Sequence, residues 1–138
     1  EKTPRLVFPA NGFSIAPLDG KAGAGSFTAL MMFLPVTDGF GPNVNVMIQP
    51  YPGTLQTYAD LSRQQFAAAK MTLVSEQLAD GMLTLEYTGT LQNNAMHFYS
   101  RAFSADSKVY LATATAREAQ WETSGAKLKS CVDSLRKE

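Results

Sequence analysis

Cysteine, histidine and tryptophan each occur once in the 138 residues. A single cysteine, Cys131, excludes an intramolecular disulfide and a cysteine metal cluster. A single histidine, His97, excludes a His-rich metal site and obliges any Ser–His or Cys–His pair to use it. Charge of one sign is also lacking: twelve basic residues balance twelve acidic ones. That balance removes the attraction that carries most non-specific nucleic-acid binding, so no nucleic acid is expected as a partner. The local excess of Lys127, Lys129, Arg136 and Lys137 falls near a helix C-terminus, where cations favour the macrodipole. Long apolar runs are missing as well. The longest, residues 29–36, is broken by Pro35 and falls far short of the ~20 residues needed to cross a bilayer.

Catalytic signatures are missing too. A nucleophile elbow needs Gly-x-Ser-x-Gly on a strained turn, and Gly23-Ala-Gly25-Ser26-Phe27 lacks that pattern. Gly20-Lys21 followed by Ser26 holds the letters of a phosphate loop in the wrong order, and Thr28 stands where a dinucleotide loop after Gly23-x-Gly25 would need glycine. The carboxylates Glu76, Asp80, Glu86 and Asp106 are scattered over turns and different strands, not paired as glycosidic acid/base work requires. No enzyme, metal or cofactor is expected.

What is present describes one domain, residues 1–138, with 1–10 as an N-terminal extension. Apolar residues make up 45% and charged ones 17%, enough to bury roughly two-thirds of the unfolded surface around one core. Ser, Thr, Asn and Gln outnumber the charged residues, a polar but weakly charged surface that suits an exported protein of the periplasm or cell envelope. The chain begins with Glu1, and a signal or lipid-attachment segment upstream is an expectation of the same reading.

Residues 13–17 read as a first strand closed by Pro17, followed by a Gly/Ala-rich loop to Ser26. Residues 27–34 are apolar on both faces, as expected for a central strand covered on both sides. Residues 44–49 alternate as a half-buried strand that stops at Pro50-Tyr51-Pro52-Gly53. Thr54 caps a helix whose stripe is Leu55, Tyr58, Leu61, Phe66 and Ala69, running to about Lys70. Strands follow at 71–77, 83–90, 95–104 and 109–116, and the last three are spaced as hairpins, hence antiparallel. Trp121, Leu128, Val132 and Leu135 then make one helical stripe, with Cys131 as a small core or boundary residue. Runs of strands with two helices define an α+β fold: a twisted antiparallel β-sheet flanked by helices, an α/β/α sandwich.

Five residues stand out as binding candidates. Phe40 sits in Gly39-Phe40-Gly41-Pro42, an aromatic at the tip of a flexible loop, and Tyr51 is held between two prolines; aromatics presented in this way anchor interfaces. Asn43 opens the strand that joins them. His97 lies mid-strand with Arg101 on the same face, Tyr99 between them, and Glu86 and Tyr87 near on the facing strand. The ordinary reading of that group is a polar cluster on the sheet.

The succession Gly12-Phe13-Ser14-Ile15 with Pro17, then Asn43-Val-Asn-Val-Met-Ile48, the helix of residues 55–66, and Thr113-Ala-Thr-Ala116 leading to Trp121 resembles the PsbP-like superfamily, and within it the bacterial DcrB-like branch. The resemblance spans residues 11–135. It implies a PsbP-like sandwich in an exported or lipid-anchored protein that binds or assembles with a protein partner and does not catalyse. Many relatives carry a Trp after the first strand's proline, where this chain has Leu18-Asp19-Gly20, so no site near that loop is carried over. The alternative is a small-ligand or lipid carrier with a pocket between helix and sheet, lined by Met31, Met32, Met47 and Phe98.

Overall fold

Three two-residue turns organise the C-terminal half. Asp80-Gly81, Gln92-Asn93 and Asp106-Ser107 all adopt positive φ, between 51° and 75°. That backbone matches the right-handed twist of the strands it joins. In the computed structural model, which describes residues 5–16 and 27–138, these turns link β5 (Thr72–Ala79), β6 (Met82–Leu91), β7 (Asn94–Ala105) and β8 (Lys108–Arg117) into an antiparallel meander. Two earlier strands extend it, β3 (Phe27–Phe33) and β4 (Asn43–Pro50), giving one six-stranded sheet in the order β3-β4-β8-β7-β6-β5. Pro17, the loop through Ser26 and the Leu18-Asp19-Gly20 tripeptide lie outside the described residues.

One helix covers each face. Helix α1 (Leu55–Ala68) begins where Thr54 accepts a hydrogen bond from the Thr57 amide at 3.1 Å, which satisfies one of the free N–H groups of the first turn. It ends two residues short of Lys70, which takes a left-handed φ of 59°. Its apolar face packs on β5 and β6 with Ala59, Leu83, Leu85, Ala102 and Val109 as the buried centre. Phe66, Tyr87 and Phe98 stack in series there, at 4.1 and 4.9 Å.

On the other face, α2 (Glu118–Asp133) packs on β8, β7 and β4. Ala112, Ala114 and Ala116 alternate along β8 beneath it, with Val44, Leu128 and Val132 completing the buried set. Three short side chains in a row let the helix backbone come close to the sheet. The stripe of Trp121, Leu128, Val132 and Leu135 faces this core as its spacing implies, whereas Cys131 is exposed.

Two features differ from the sequence expectation. Residues 6–8, read as part of an extension, form β1 (Leu6–Phe8), which pairs with β2 (Phe13–Ile15) across a one-turn 3-10 helix, Pro9–Asn11. More consequentially, β3 is an edge strand and not a central one. Its apolar residues on both faces carry no inward meaning: Leu30, Met31 and Met32 are 42–48% exposed and Phe33 is 65% exposed.

Candidate functional site

Alternation along β7 places His97, Tyr99 and Arg101 on the face under α2, and Phe98 and Ser100 on the α1 face. The register sets Glu86 opposite Tyr99, a diagonal neighbour of His97, and Ala116 directly opposite His97. Over that small alanine the Trp121 ring stacks on the imidazole, centroids 4.1 Å apart. His97 Nε2 lies 2.6 Å from Glu86 Oε2, and Nδ1 lies 3.0 Å from both oxygens of Glu118. Lys129 Nζ reaches the other Glu86 oxygen at 3.1 Å and sits 5.2 Å over the Tyr99 ring.

Burial pushes the Glu86 carboxyl up, but the hydrogen bonds from His97 and Lys129 outweigh it and hold the group below its ordinary value. A neutral imidazole has one N–H, so only the imidazolium donates to both carboxylates at once. With both nitrogens occupied and the side chain 9% exposed, His97 ties α2 to the sheet. Tyr87, also named from the sequence, lies on the opposite face against Phe66 and Phe98.

Arg101 shares the strand face with His97, but four residues of extended chain put it roughly 13 Å away, and its partners are different. Asp133 Oδ1 accepts from the Tyr99 hydroxyl at 2.7 Å and from Arg101 Nη1 at 3.3 Å. Burial, then the Asp133 carboxylate, pushes the Tyr99 phenol up to about 12. These side chains border a polar cleft of about 280 Å³ that Asp80 and Thr84 also line.

The remaining candidates do not converge on one surface. Phe40 is not at the tip of a free loop. Thr37 and Phe40 pair across a two-residue turn at Asp38-Gly39. Gln120, 3% exposed, donates to Thr37 O and Oγ1 at 2.7 Å and to Phe40 O at 2.9 Å. Arg117 adds a bond to Asp38 O. The turn is therefore clamped to the start of α2, and Phe40 is half-buried beside a cleft of about 420 Å³. Asn43 is buried and donates to Gly41 O at 3.0 Å, closing its own turn. Tyr51 covers the start of α1: its hydroxyl is 2.7 Å from Thr57 Oγ1 and its ring meets Tyr58 edge-on at 5.2 Å. Phe40 and Tyr51 stand beyond opposite ends of β4, an eight-residue strand roughly 27 Å long.

The carrier pocket drawn from Met31, Met32, Met47 and Phe98 is divided by the sheet. Met32 pairs with Val44 on the α2 face, and Met31 pairs with Asn45 and Thr28 with Met47 on the other. Met32 instead borders an apolar cleft of about 190 Å³ between β3 and α2, with Leu34, Val44, Leu128 and Cys131.

Sequence reasoning missed Glu118, Trp121, Asp133 and Arg117 as site residues, and missed the β3 edge. Glu118, Trp121, Gly125 and Lys129 fall at spacings of three and four, one helical face, a signal that points at the sheet without saying which strand residues it meets. For β3 the signal was visible but misread, because apolar residues on both faces describe an unpartnered edge as well as a central strand.

No protein-family model matches the chain, and no curated protein does. Among solved structures, PA94 of Pseudomonas aeruginosa, a protein of unknown function, is similar at a TM-score of 0.59 and 13% identity, over 79% of this chain and 82% of that one. At that identity the likeness is one of fold, and it agrees with the α+β sandwich seen here. CyanoP, the PsbP of Synechocystis sp. PCC 6803, is similar at a TM-score of 0.49 and 17% identity, over 95% and 89% of the two chains. Among the described residues no helix is long and apolar enough to cross a membrane.

Proposed function

We propose that this protein is a non-enzymatic binding or assembly module of the PsbP-like, DcrB-like kind, working outside the cytoplasm and holding a protein partner along the free edge of β3. One observation carries the reading: β3 is the outermost strand among the described residues and exposes four consecutive apolar side chains, Leu30 to Phe33, with Val36 beyond them at 69% exposure. Among the described residues no strand pairs with that edge. Between residues 27 and 37 there is no charged side chain, so the charge that usually blunts an edge is missing. An extended, largely uncharged segment of another protein adds to such an edge by main-chain hydrogen bonds, with alternate side chains covering Met31 and Phe33 or Leu30 and Met32.

A non-enzymatic role is supported by His97, whose two nitrogens are engaged and whose ring is covered. The polar, weakly charged composition supports export. The test is purification of the full-length protein from its native source beside a Met31→Lys/Phe33→Glu variant. The wild type is expected to bring down a stoichiometric partner that the variant loses at least tenfold, with the variant's circular dichroism and melting unchanged. A partner retained by the variant, or a wild type that has no partner and turns over a small substrate, overturns the reading.

A further inference from the structure

Two buried guanidinium nitrogens, Arg101 Nε and Arg117 Nε, have no hydrogen-bond partner among the described residues. Each side chain lines a cleft. A buried donor left unpaired is costly, so each asks what fills it. Around Arg101 the answer is local: Asp80 and Asp133 line the same cleft, and an anion there would meet two carboxylates for one guanidinium.

Arg117 differs. Of the seven residues around its cleft it is the one charged side chain; the walls are Phe40, Leu91 and Met96, and the amides are Gln92 and Asn94. Glu118 follows in the chain, but its carboxylate is held on the His97 ring. The parts are fixed in place. Gln120 clamps the turn carrying Phe40, Arg117 Nη1 is bound to Asp38 O, and Asn94 is tied to Gln92 O at 3.2 Å. A cleft of about 420 Å³ falls within the usual range for small-molecule sites, roughly 300–1,000 Å³.

From this geometry we propose that the cleft between the 37–40 turn, the β6–β7 hairpin and Arg117 binds a small organic carboxylate with a compact apolar body. The carboxylate pairs with the Arg117 guanidinium, the one charged group of the cleft, and the body lies against Phe40, Leu91 and Met96. The hairpin strands beside it pair with each other to their ends, Leu91 with Asn94, so no strand edge there guides an extended peptide. The site is independent of the β3 edge, and neither claim rests on the other.

The experiment is a nitrogen-15 NMR titration of the intact chain with 3-phenylpropionate, its uncharged amide, inorganic phosphate and a capped tripeptide ending in a free C-terminal Phe. Phenylpropionate is expected to shift residues 39–40, 91–96 and 117 saturably. The amide and phosphate should bind at least tenfold more weakly, since a charge-assisted hydrogen bond accounts for roughly a tenfold change or more. Arg117→Gln should weaken phenylpropionate by a similar factor, and Leu91→Ala by a few-fold. The wild-type comparison of acid with amide decides the matter even where Arg117→Gln loses its turn contact and unfolds. Equal binding of acid and amide, equal binding of phosphate, tighter binding of the tripeptide, or no saturable shift up to ~10 mM ligand overturns the proposal.

Discussion

Replacing His97 by Gln is the sharpest probe of how α2 is held to the sheet. The Glu118 side chain is 49% exposed, so its contact contributes at most about 1 kcal/mol. The Glu86 side chain is 15% exposed, and a hydrogen bond to such a group contributes about 1.5–3 kcal/mol. Lys129 stays in place to limit that loss. Stacking on Trp121 adds about 0.5–1.5 kcal/mol, of which a planar amide recovers part. The net cost is about 3 kcal/mol. For a chain of this length 1 kcal/mol moves the midpoint by roughly 3–4 °C, so melting should fall by about 10 °C.

The variant should also become more acid-sensitive. Because Glu86 is held below its ordinary value in the folded protein, its contribution is complete above the ordinary carboxylate range and is lost as pH falls through the folded value. In the variant burial still pushes the carboxyl up while one of its two opposing partners is weakened. Its acid limb therefore begins at higher pH. Thermal melts followed by circular dichroism across the acid range measure both effects. A midpoint within about 2 °C of wild type with an unmoved acid limb would refute the reasoning, and with it the view that the His97 contacts hold the helix.

Gly125→Ala should destabilise by about 1 kcal/mol in urea titration despite a helix-propensity gain of similar size. A Cβ there would meet the Trp121 ring at 3.0 Å, and His97 behind that ring keeps it from moving away. Ser107→Gly should stabilise by about 1 kcal/mol, because Ser107 holds a φ of 60° while its carbonyl, which accepts from Tyr51 N at 2.8 Å, is unaffected. Gln120→Ala should cost about 3 kcal/mol and release amide exchange protection at Thr37 and Phe40, whose turn it holds.

Local signals carried most of the fold. Two of the three hairpins were legible from spacing alone, even though their turns, Gln92-Asn93 and Asp106-Ser107, are not glycine turns; residues 71–77 were read as a strand but not as the hairpin partner of β6. Trp121, Leu128 and Val132 announced the buried side of α2 at periods the helix imposes, whereas Leu135, read into the same stripe, packs on that core from beyond the helix end at Asp133. His97 and Arg101 were placed on one strand face correctly because strand alternation is local. Their partners were not, because the register between a helix and a sheet is tertiary: nothing in the spacing says that Glu118 meets Nδ1 or that Asp133 meets Tyr99. The Phe40 turn was misjudged for the same reason, since Gln120, its clamp, lies 80 residues away.

The misplacement of β3 separates two physical causes that leave one pattern. The two edges of this sheet differ in what they expose. On β5, Glu76 is paired with Arg63 of α1 at 2.6 Å, Ser75 and Gln77 flank it, and a register shift between Leu73 and Ser75 interrupts the ladder. A charge, polar neighbours and an irregular backbone all discourage a further strand. On β3 the ladder is also shifted, between Thr28 and Leu30, yet from Leu30 onward the pairing is regular and the side chains are uncharged. An unprotected edge invites aggregation unless something covers it. Solubility at high concentration therefore distinguishes the cases: Met31→Lys should raise it with stability changed by less than about 0.5 kcal/mol. A marked loss of stability would instead show that Met31 packs against its own chain and that this edge is already closed.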